Sequence, residues 1–341
     1  MFFIGNNVFY LHAGGTCMEY IKRISELTKE KSLENGGKAA NLGEMTQNGF
    51  NVPGGFCVTG RALDYLIDTH ALMPKIMNII GGLNFDDYPE VESESEKIRG
   101  LIKEAEIPSD LDREIRDAIR EMKNGNGEDP FVAVRSSVSV KDSQITSFPG
   151  MMDTYHFIKG EKEIIEYIRM CWASLFTARA IYRRNQQNIP QDKGVIAPVV
   201  QKMVNSDVAG VMFTANPITS NREEIVIEAN WGLGESLVSG EAIVDYFVLS
   251  KTDPPEITLK KIMKKNIMVT IDREKGIGRK KYELTGNLVT DCTLTDQQLV
   301  ELAQLGKKIE KVFDYPQDIE WAYEKGELFL LQARKIKALK E

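Results

Sequence analysis

The chain reads as an α+β protein in two units, and three features of the sequence carry that reading. Up to about Pro190, helix-forming stretches surround a single compact apolar strand. From Gly194 the texture changes to short β-rich runs separated by glycine or Asn-Pro turns. Near the end, a helix with its own start signal leads into two alternating runs joined by a tight turn. With 341 residues, 42% hydrophobic and 27% charged, the chain has room for two or three packed units. The boundaries drawn are 18–193 for the first lobe and 194–341 for the second.

Taken in order, Met1 to Leu11 is apolar but lacks the basic start and clean apolar centre of a signal peptide. Met18-Glu19-Tyr20 is the more natural beginning, so residues 1–17 are expected to be poorly ordered or an upstream start. Lys38 to Gln47 reads as a short helix opened by Gly36-Gly37, Phe85 to Glu96 as acidic and irregular, and Ser109 to Met122 as an amphipathic helix capped by Ser109. Lys123 to Asp129 is a turn-rich break. Phe131-Val132-Ala133-Val134-Arg135 is a strand that runs into a loop, 136–154. Glu161 to Arg184 is expected as one long helix, apolar at Ile164, Ile165, Ile168, Trp172, Leu175 and Phe176. Strands are expected at Val195 to Val204, Val208 to Thr214, Glu224 to Ala229 and Tyr246 to Leu249. Leu294 to Asp314 is a helix with a Thr295/Gln298 capping box.

Composition narrows the function classes. Lys and Arg number 43 against 50 Asp and Glu, a net charge of -7, which argues against a general nucleic-acid or anionic-membrane surface. Cys17, Cys57, Cys171 and Cys292 are widely spaced with no CxxC pair, so neither structural zinc nor a disulfide framework is indicated, and a reduced cytoplasm is the expected compartment. No apolar run approaches a membrane span. His12, His70 and His156 form no metal set or triad with an evident Ser or Cys.

The final hairpin, 317–335, is the most informative stretch. Ile319, Trp321 and Tyr323 fall on one side of its first run; Asp318, Glu320 and Ala322 fall on the other. Glu324-Lys325-Gly326 suits a three-residue loop, which sets Tyr323 opposite Glu327, Asp318 opposite Gln332 and Glu320 opposite Leu330, with Arg334 extending that side and Phe329 joining Trp321 in the core. Two carboxylates, an amide oxygen and a guanidinium on one face suit Mg²⁺ with a polyphosphate: hard oxygens take the ion and Arg forks onto phosphate. A solvated face with a cross-strand ion pair is the competing reading.

Other groups point the same way. Asn35-Gly36-Gly37-Lys38 brings a lysine to a glycine-fed helix start, where backbone N–H groups and a cation meet an anion together. It is not a Walker loop, since Ser32 and Ala39 stand where Gly and Ser/Thr are required; an ordinary surface lysine is the alternative. Arg135 ends an apolar strand, which suits a phosphate clamp or an arginine paired to a structural carboxylate. The hydroxyl-rich loop Ser143 to Thr154 suits a lid over a triphosphate, or is only a loop. Gln201, in Val199-Val200-Gln201-Lys202-Met203-Val204, is placed to read an adenine edge, against the alternative of a plain buried strand. Gly232-Leu233-Gly234 fails the dinucleotide fingerprint at Leu237 and reads as a turn near the site.

Taken together, Gly36-Gly37-Lys38-Ala39-Ala40-Asn41-Leu42, Val134-Arg135-Ser136-Ser137, Phe148-Pro149-Gly150-Met151-Met152-Asp153-Thr154, Val200-Gln201-Lys202-Met203-Val204, Phe213-Thr214-Ala215-Asn216-Pro217, Trp231-Gly232-Leu233-Gly234-Glu235 and Asp318-Ile319-Glu320 with Gln332-Ala333-Arg334 closely resemble the nucleotide-binding domain of phosphoenolpyruvate synthases and pyruvate phosphate dikinases. The rifampicin phosphotransferases share that domain. The resemblance runs in order from about Met18 to the end. It implies an ATP-grasp fold, two α+β lobes with a nucleotide cleft between antiparallel sheets. By that likeness Lys38 and Arg135 contact phosphates, Gly150 and Thr154 lie in the lid, Gln201 meets the adenine, and Glu320 and Gln332 hold Mg²⁺ with Asp318 and Arg334 beside them. ATP and Mg²⁺ are thus the implied ligands. In the family the phosphoryl groups pass to a histidine on a swivelling domain, which visits a third domain that binds pyruvate; both would act on this chain in trans. The chain departs from many synthases at Val138, Ser139 and Lys141, and its Phe148-to-Asp153 run is closer to the dikinase form. Two other uses of the same fold are an antibiotic phosphotransferase module and a non-catalytic ATP-binding sensor.

Overall fold

A computed structural model of the chain describes residues 20–123, 125, 127–141, 154–337 and 339, with the backbone of two short strands, β1 (Phe2–Ile4) and β2 (Asn7–Phe9). The rest of the segment 1–17, expected as poorly ordered, lies outside the described residues, as do Gly150 and the loop around it, 142–153. The chain forms two compact units: Met1–Ala40 with Gly54–Lys202, and Asn41–Pro53 with Met203–Glu341.

The first unit holds β3 (Ile21–Arg23), the start of α1 (Ser32–Gln47), β4 (Gly55–Val58), α2 (Gly60–Thr69), α3 (Leu72–Gly81), α4 (Tyr88–Glu104), α5 (Ser109–Glu121), β5 (Val132–Val140), β6 (Thr154–Ile158), α6 (Glu161–Ser174), α7 (Ala178–Gln186) and β7 (Gly194–Lys202). Its sheet runs β3-β4-β7-β5-β6, antiparallel throughout. Val132, Val134, Val138, Ile196 and Val200 point into the helical core around Trp172, Ile168 and Ile102. Alternation sends Ala133, Arg135, Ser137 and Gln201 to the other face.

Five expectations change here. The Phe85 to Glu96 stretch is mostly helix: Asp87 accepts the N–H of Glu90 at 3.1 Å, and Pro89 sits in the first turn, where its missing donor costs nothing. Ser109 is the first helical residue of α5 rather than its cap, which is Pro108; Asp110 and Asp112 supply the negative first turn. The single helix from Glu161 to Arg184 is two, because Thr177 turns the chain extended and caps α7 through Ala180 N–H. The loop 136–154 begins later than expected, since β5 continues, wholly buried, to Val140 against β7. Pairing with β4 and β5 likewise puts β7 in the first unit, past the boundary drawn before Gly194.

The second unit holds β8 (Val208–Phe213), β9 (Glu224–Trp231), the single turn α8 (Glu235–Val238), β10 (Asp245–Ser250), β11 (Ile257–Lys261), a separate ribbon of β12 (Ile267–Ile271) and β13 (Arg279–Glu283), α9 (Asp296–Phe313), β14 (Gln317–Glu324) and β15 (Glu327–Lys335). The sheet order is β11-β10-β9-β8-β14-β15, again antiparallel. The Thr295/Gln298 capping box forms as expected, and α9 packs on one face, where Tyr323 donates to Glu301 at 2.8 Å. On that face Asp245 is fully buried and accepts from Met263 N–H, Lys265 Nζ and Thr293 N–H at 2.9 Å and from Thr293 Oγ1 at 3.0 Å. The free edge of β15 is covered by Asn51, whose carbonyl takes Leu330 N–H and whose amide donates to Leu328 O. Among the described residues no helix is long and apolar enough to cross a membrane.

Candidate functional site

In the first unit, the start of α1 lies on the face that carries Arg135 and Gln201. Gly36 breaks the helix with φ 77° and ψ 159°, and a Cβ there would sit 2.5 Å from Val138 N, so only glycine allows the approach. The helix resumes at once and is tied to the sheet by Ala39 N–H, which donates to Ser137 Oγ at 3.0 Å. Lys38 stands one residue before that anchor, half-buried. Thr154 opens β6 directly opposite Arg135. Arg135 is 8% exposed and Gln201 2%; Nη1 of the first donates to Oε1 of the second at 3.4 Å. Arg135, Thr154 and Gln201 are therefore gathered on one sheet face, and the start of α1, which carries Lys38, lies against it.

In the second unit the final hairpin forms with a different register from the one expected. Lys325 and Gly326 have φ of 51° and 80°, a two-residue turn with both centres left-handed, so Glu324 pairs with Glu327 and Tyr323 with Leu328. Leu330 then lies opposite Trp321, and Phe329 opposite Ala322, not in the core with Trp321. A bulge at Leu331 shifts the ladder once more. Beyond it Glu320 faces Gln332 and Asp318 faces Arg334. The expected residues thus share a face, though in a different pairing. Arg334 Nε donates to Asp318 Oδ2 at 2.7 Å. Leu331 packs with Phe329 on Ala322, Ala209 and Val204.

The same face carries one acid that sequence reasoning missed. Glu320 pairs with Val211, Val211 with Glu228, and Glu228 with Tyr246, so a polar row runs Gln332, Glu320, Glu228, Tyr246 across the sheet. A signal for it exists: Glu228 is a lone carboxylate in the apolar run of β9, as Arg135 is a lone cation in β5. Burial, then the charge of Asp318, raises the Glu228 pKa. Burial also raises Asp318; the ion pair with Arg334 opposes this and Glu320 adds to it. Tyr246 is pushed up by burial and by Glu228.

Among the described residues no three His, Cys, Asp or Glu side chains gather as a metal cluster. A cation here would rest on one carboxylate and one amide oxygen, Glu320 and Gln332, set directly opposite each other. That donor set fits Mg²⁺, which keeps water and phosphate oxygens in its remaining positions.

A two-unit α+β chain, with a cationic face in one unit and an acidic, amide-bearing face in the other, has the features of a nucleotide-binding domain. The family described as pyruvate phosphate dikinase, AMP/ATP-binding domain, matches residues 33–341, and the chain belongs to that family. It is 44% identical over 328 residues to a probable phosphoenolpyruvate synthase of Methanocaldococcus jannaschii, covering 96% of this chain and 27% of that protein. The phosphoenolpyruvate synthase of Pyrococcus furiosus is 40% identical over 361 residues, covering 94% and 44%. The rifampicin phosphotransferase of Bacillus cereus is 36% identical over 321 residues, covering 94% and 36%. The chain therefore spans about a quarter to a half of these relatives.

Proposed function

We propose that the chain is the Mg·ATP-binding part of a dikinase-type phosphotransferase with an ATP-grasp architecture, and that it donates phosphoryl groups from ATP to a histidine on a swivelling domain during phosphoenolpyruvate synthesis from pyruvate. The observation that carries this is the bulged hairpin, which sets Glu320 against Gln332 and Asp318 against Arg334 on one face. Glu320 and Gln332 hold the ion, which neutralises the phosphates when bound. Lys38, Arg135 and Arg334 take phosphate oxygens, Gln201 meets the adenine, and Gly150 and Thr154 belong to a lid that excludes water. No protein nucleophile is needed in this part, because phosphoryl transfer here is chiefly positioning and charge neutralisation. The histidine domain and the domain that binds pyruvate are partners supplied in trans, and the compartment is cytoplasmic.

The likeness to a rifampicin phosphotransferase supports a second reading, a module of an antibiotic phosphotransferase. A bare ATP sensor is disfavoured, since it has no need of Lys38, Arg135 and Glu320 together. Mixing the chain with a histidine domain and γ-labelled ATP separates a donor from a sensor: label on the partner marks a donor, and ATP bound without transfer marks a sensor. Calorimetry should also show ATP binding weakened by about 1.5–3 kcal/mol in Arg135→Ala, the range for a hydrogen bond to a charged group. Unchanged affinity removes Arg135 from the phosphate site.

A further inference from the structure

Arg135 and Gln201 are diagonal neighbours on β5 and β7: Ala133 pairs with Gln201 and Arg135 with Val199, so both side chains leave the sheet on one side. Each is more than nine-tenths buried, and Arg135 Nη1 reaches Gln201 Oε1 at 3.4 Å. That contact sets the amide oxygen toward the guanidinium. A guanidinium has only donors, so the flipped amide would set N–H groups against N–H groups in a site with little water to relieve them. Gln201 therefore keeps its oxygen toward Arg135 and turns its Nε2 donors to whatever shares the face.

Given the reading that Gln201 meets the base, we infer that Arg135 is a positioning residue for base recognition as well as a phosphate ligand. Through the amide it selects a base with a lone pair at the edge Gln201 reads. Adenine has one at N1; hypoxanthine has an N–H there. The two ends of the nucleotide are thereby linked through one side chain, and by thermodynamic reciprocity a loss at Arg135 is felt at the base.

Adenosine tests this because it has no phosphate for Arg135 to hold. Ligand-observed NMR on the full chain should show adenosine binding weakened about two- to tenfold in Arg135→Ala and Arg135→Lys, the cost of re-ordering one freed side chain on binding. The preference for adenosine over inosine should shrink, because a released amide can turn its oxygen to an N1–H; loss of a merely structural arginine would weaken both nucleosides alike. Gln201→Leu should abolish the preference, and adding Arg135→Ala to it should change adenosine binding no further. Should Arg135→Ala fail to fold by circular dichroism, the lysine variant carries the comparison. Unchanged adenosine affinity and unchanged preference in a variant with weakened ATP binding overturn the inference alone, as does a wild type that binds ATP but not adenosine. A wild type that binds neither removes the nucleotide reading itself.

Discussion

The two faces of the six-stranded sheet treat buried carboxylates in opposite ways. On the face under α9, Asp245 is surrounded by four donors, one of them the ammonium of Lys265, itself fully buried. On the other face Asp318 is ion-paired with Arg334, whose side chain is half in solvent, and the pKa values of Asp318 and Glu228 are both raised. The first arrangement joins β10 to the segments 263–265 and 293 and leaves the acid no capacity for a ligand. The second holds two carboxylates that burial and neighbouring acids make costly to ionise, which a folded chain tolerates only at some cost to its own stability. A carboxylate that is fully supplied is structural; one that is short of donors has capacity for a cation from outside.

The largest expected effect breaks the supplied side. Lys265→Met should destabilise the second unit by about 3–5 kcal/mol, because it leaves Asp245 charged and buried with only neutral donors. Chemical denaturation followed by circular dichroism measures this. A loss below about 1 kcal/mol, the range of an exposed pair, would mean that water reaches the pair.

The next effect sharpens the other side. Glu320→Gln removes the charge that faces Gln332 while keeping the shape. ATP affinity in excess EDTA should hardly change, whereas the gain on adding Mg²⁺ should fall by at least the roughly 10–100-fold that losing even an outer partner of a metal ligand costs. An Mg²⁺ response equal to wild type by calorimetry would move the ion off this hairpin.

The same residues show how much of the site is legible in the sequence. The alternation of Asp318 and Glu320 against Ile319 and Trp321 determines which side chains of β14 share a face, since period two holds along one strand whatever the register of its partner. The register itself is not legible in this way. It depends on a two-residue turn with both centres at positive φ, which Lys325-Gly326 announces only weakly, and on a bulge at Leu331 that no local residue preference signals. Helix α4 is hidden because its acidic surface masks the apolar spacing of Val91, Ile98 and Ile102. The break at Thr177 is hidden because apolar residues continue on both sides of it. Glu228 is overshadowed by the glycine turn that follows it, although the rule that singles out Arg135 applies to it equally.

A raised carboxylate pKa does not by itself mark a ligand site, and the first unit supplies the control. Glu114, on α5, is pushed up to about 7 by burial and by Asp110, with Asp117 adding and Arg113 opposing. In the folded state it binds its proton more tightly than in the unfolded chain, where the group titrates near 4.3. Its contribution to stability is therefore complete below the unfolded value and is lost as pH rises through about 7. Glu228 and Asp318 carry the same sign, each raised in the fold, so metal-free protein should lose stability across their titrations too. Thermal melts between pH 5 and pH 8 should show Glu114→Gln flattening the decline through neutrality, with or without Mg²⁺. Glu228→Gln and Asp318→Asn should raise the melting temperature of metal-free protein at neutral pH, and that gain should shrink when Mg·ATP is added, because the bound Mg²⁺ then offsets the charge of the carboxylates beside it. If all three variants respond to Mg·ATP alike, the distinction between a carboxylate buried for packing and one held open for a cation fails.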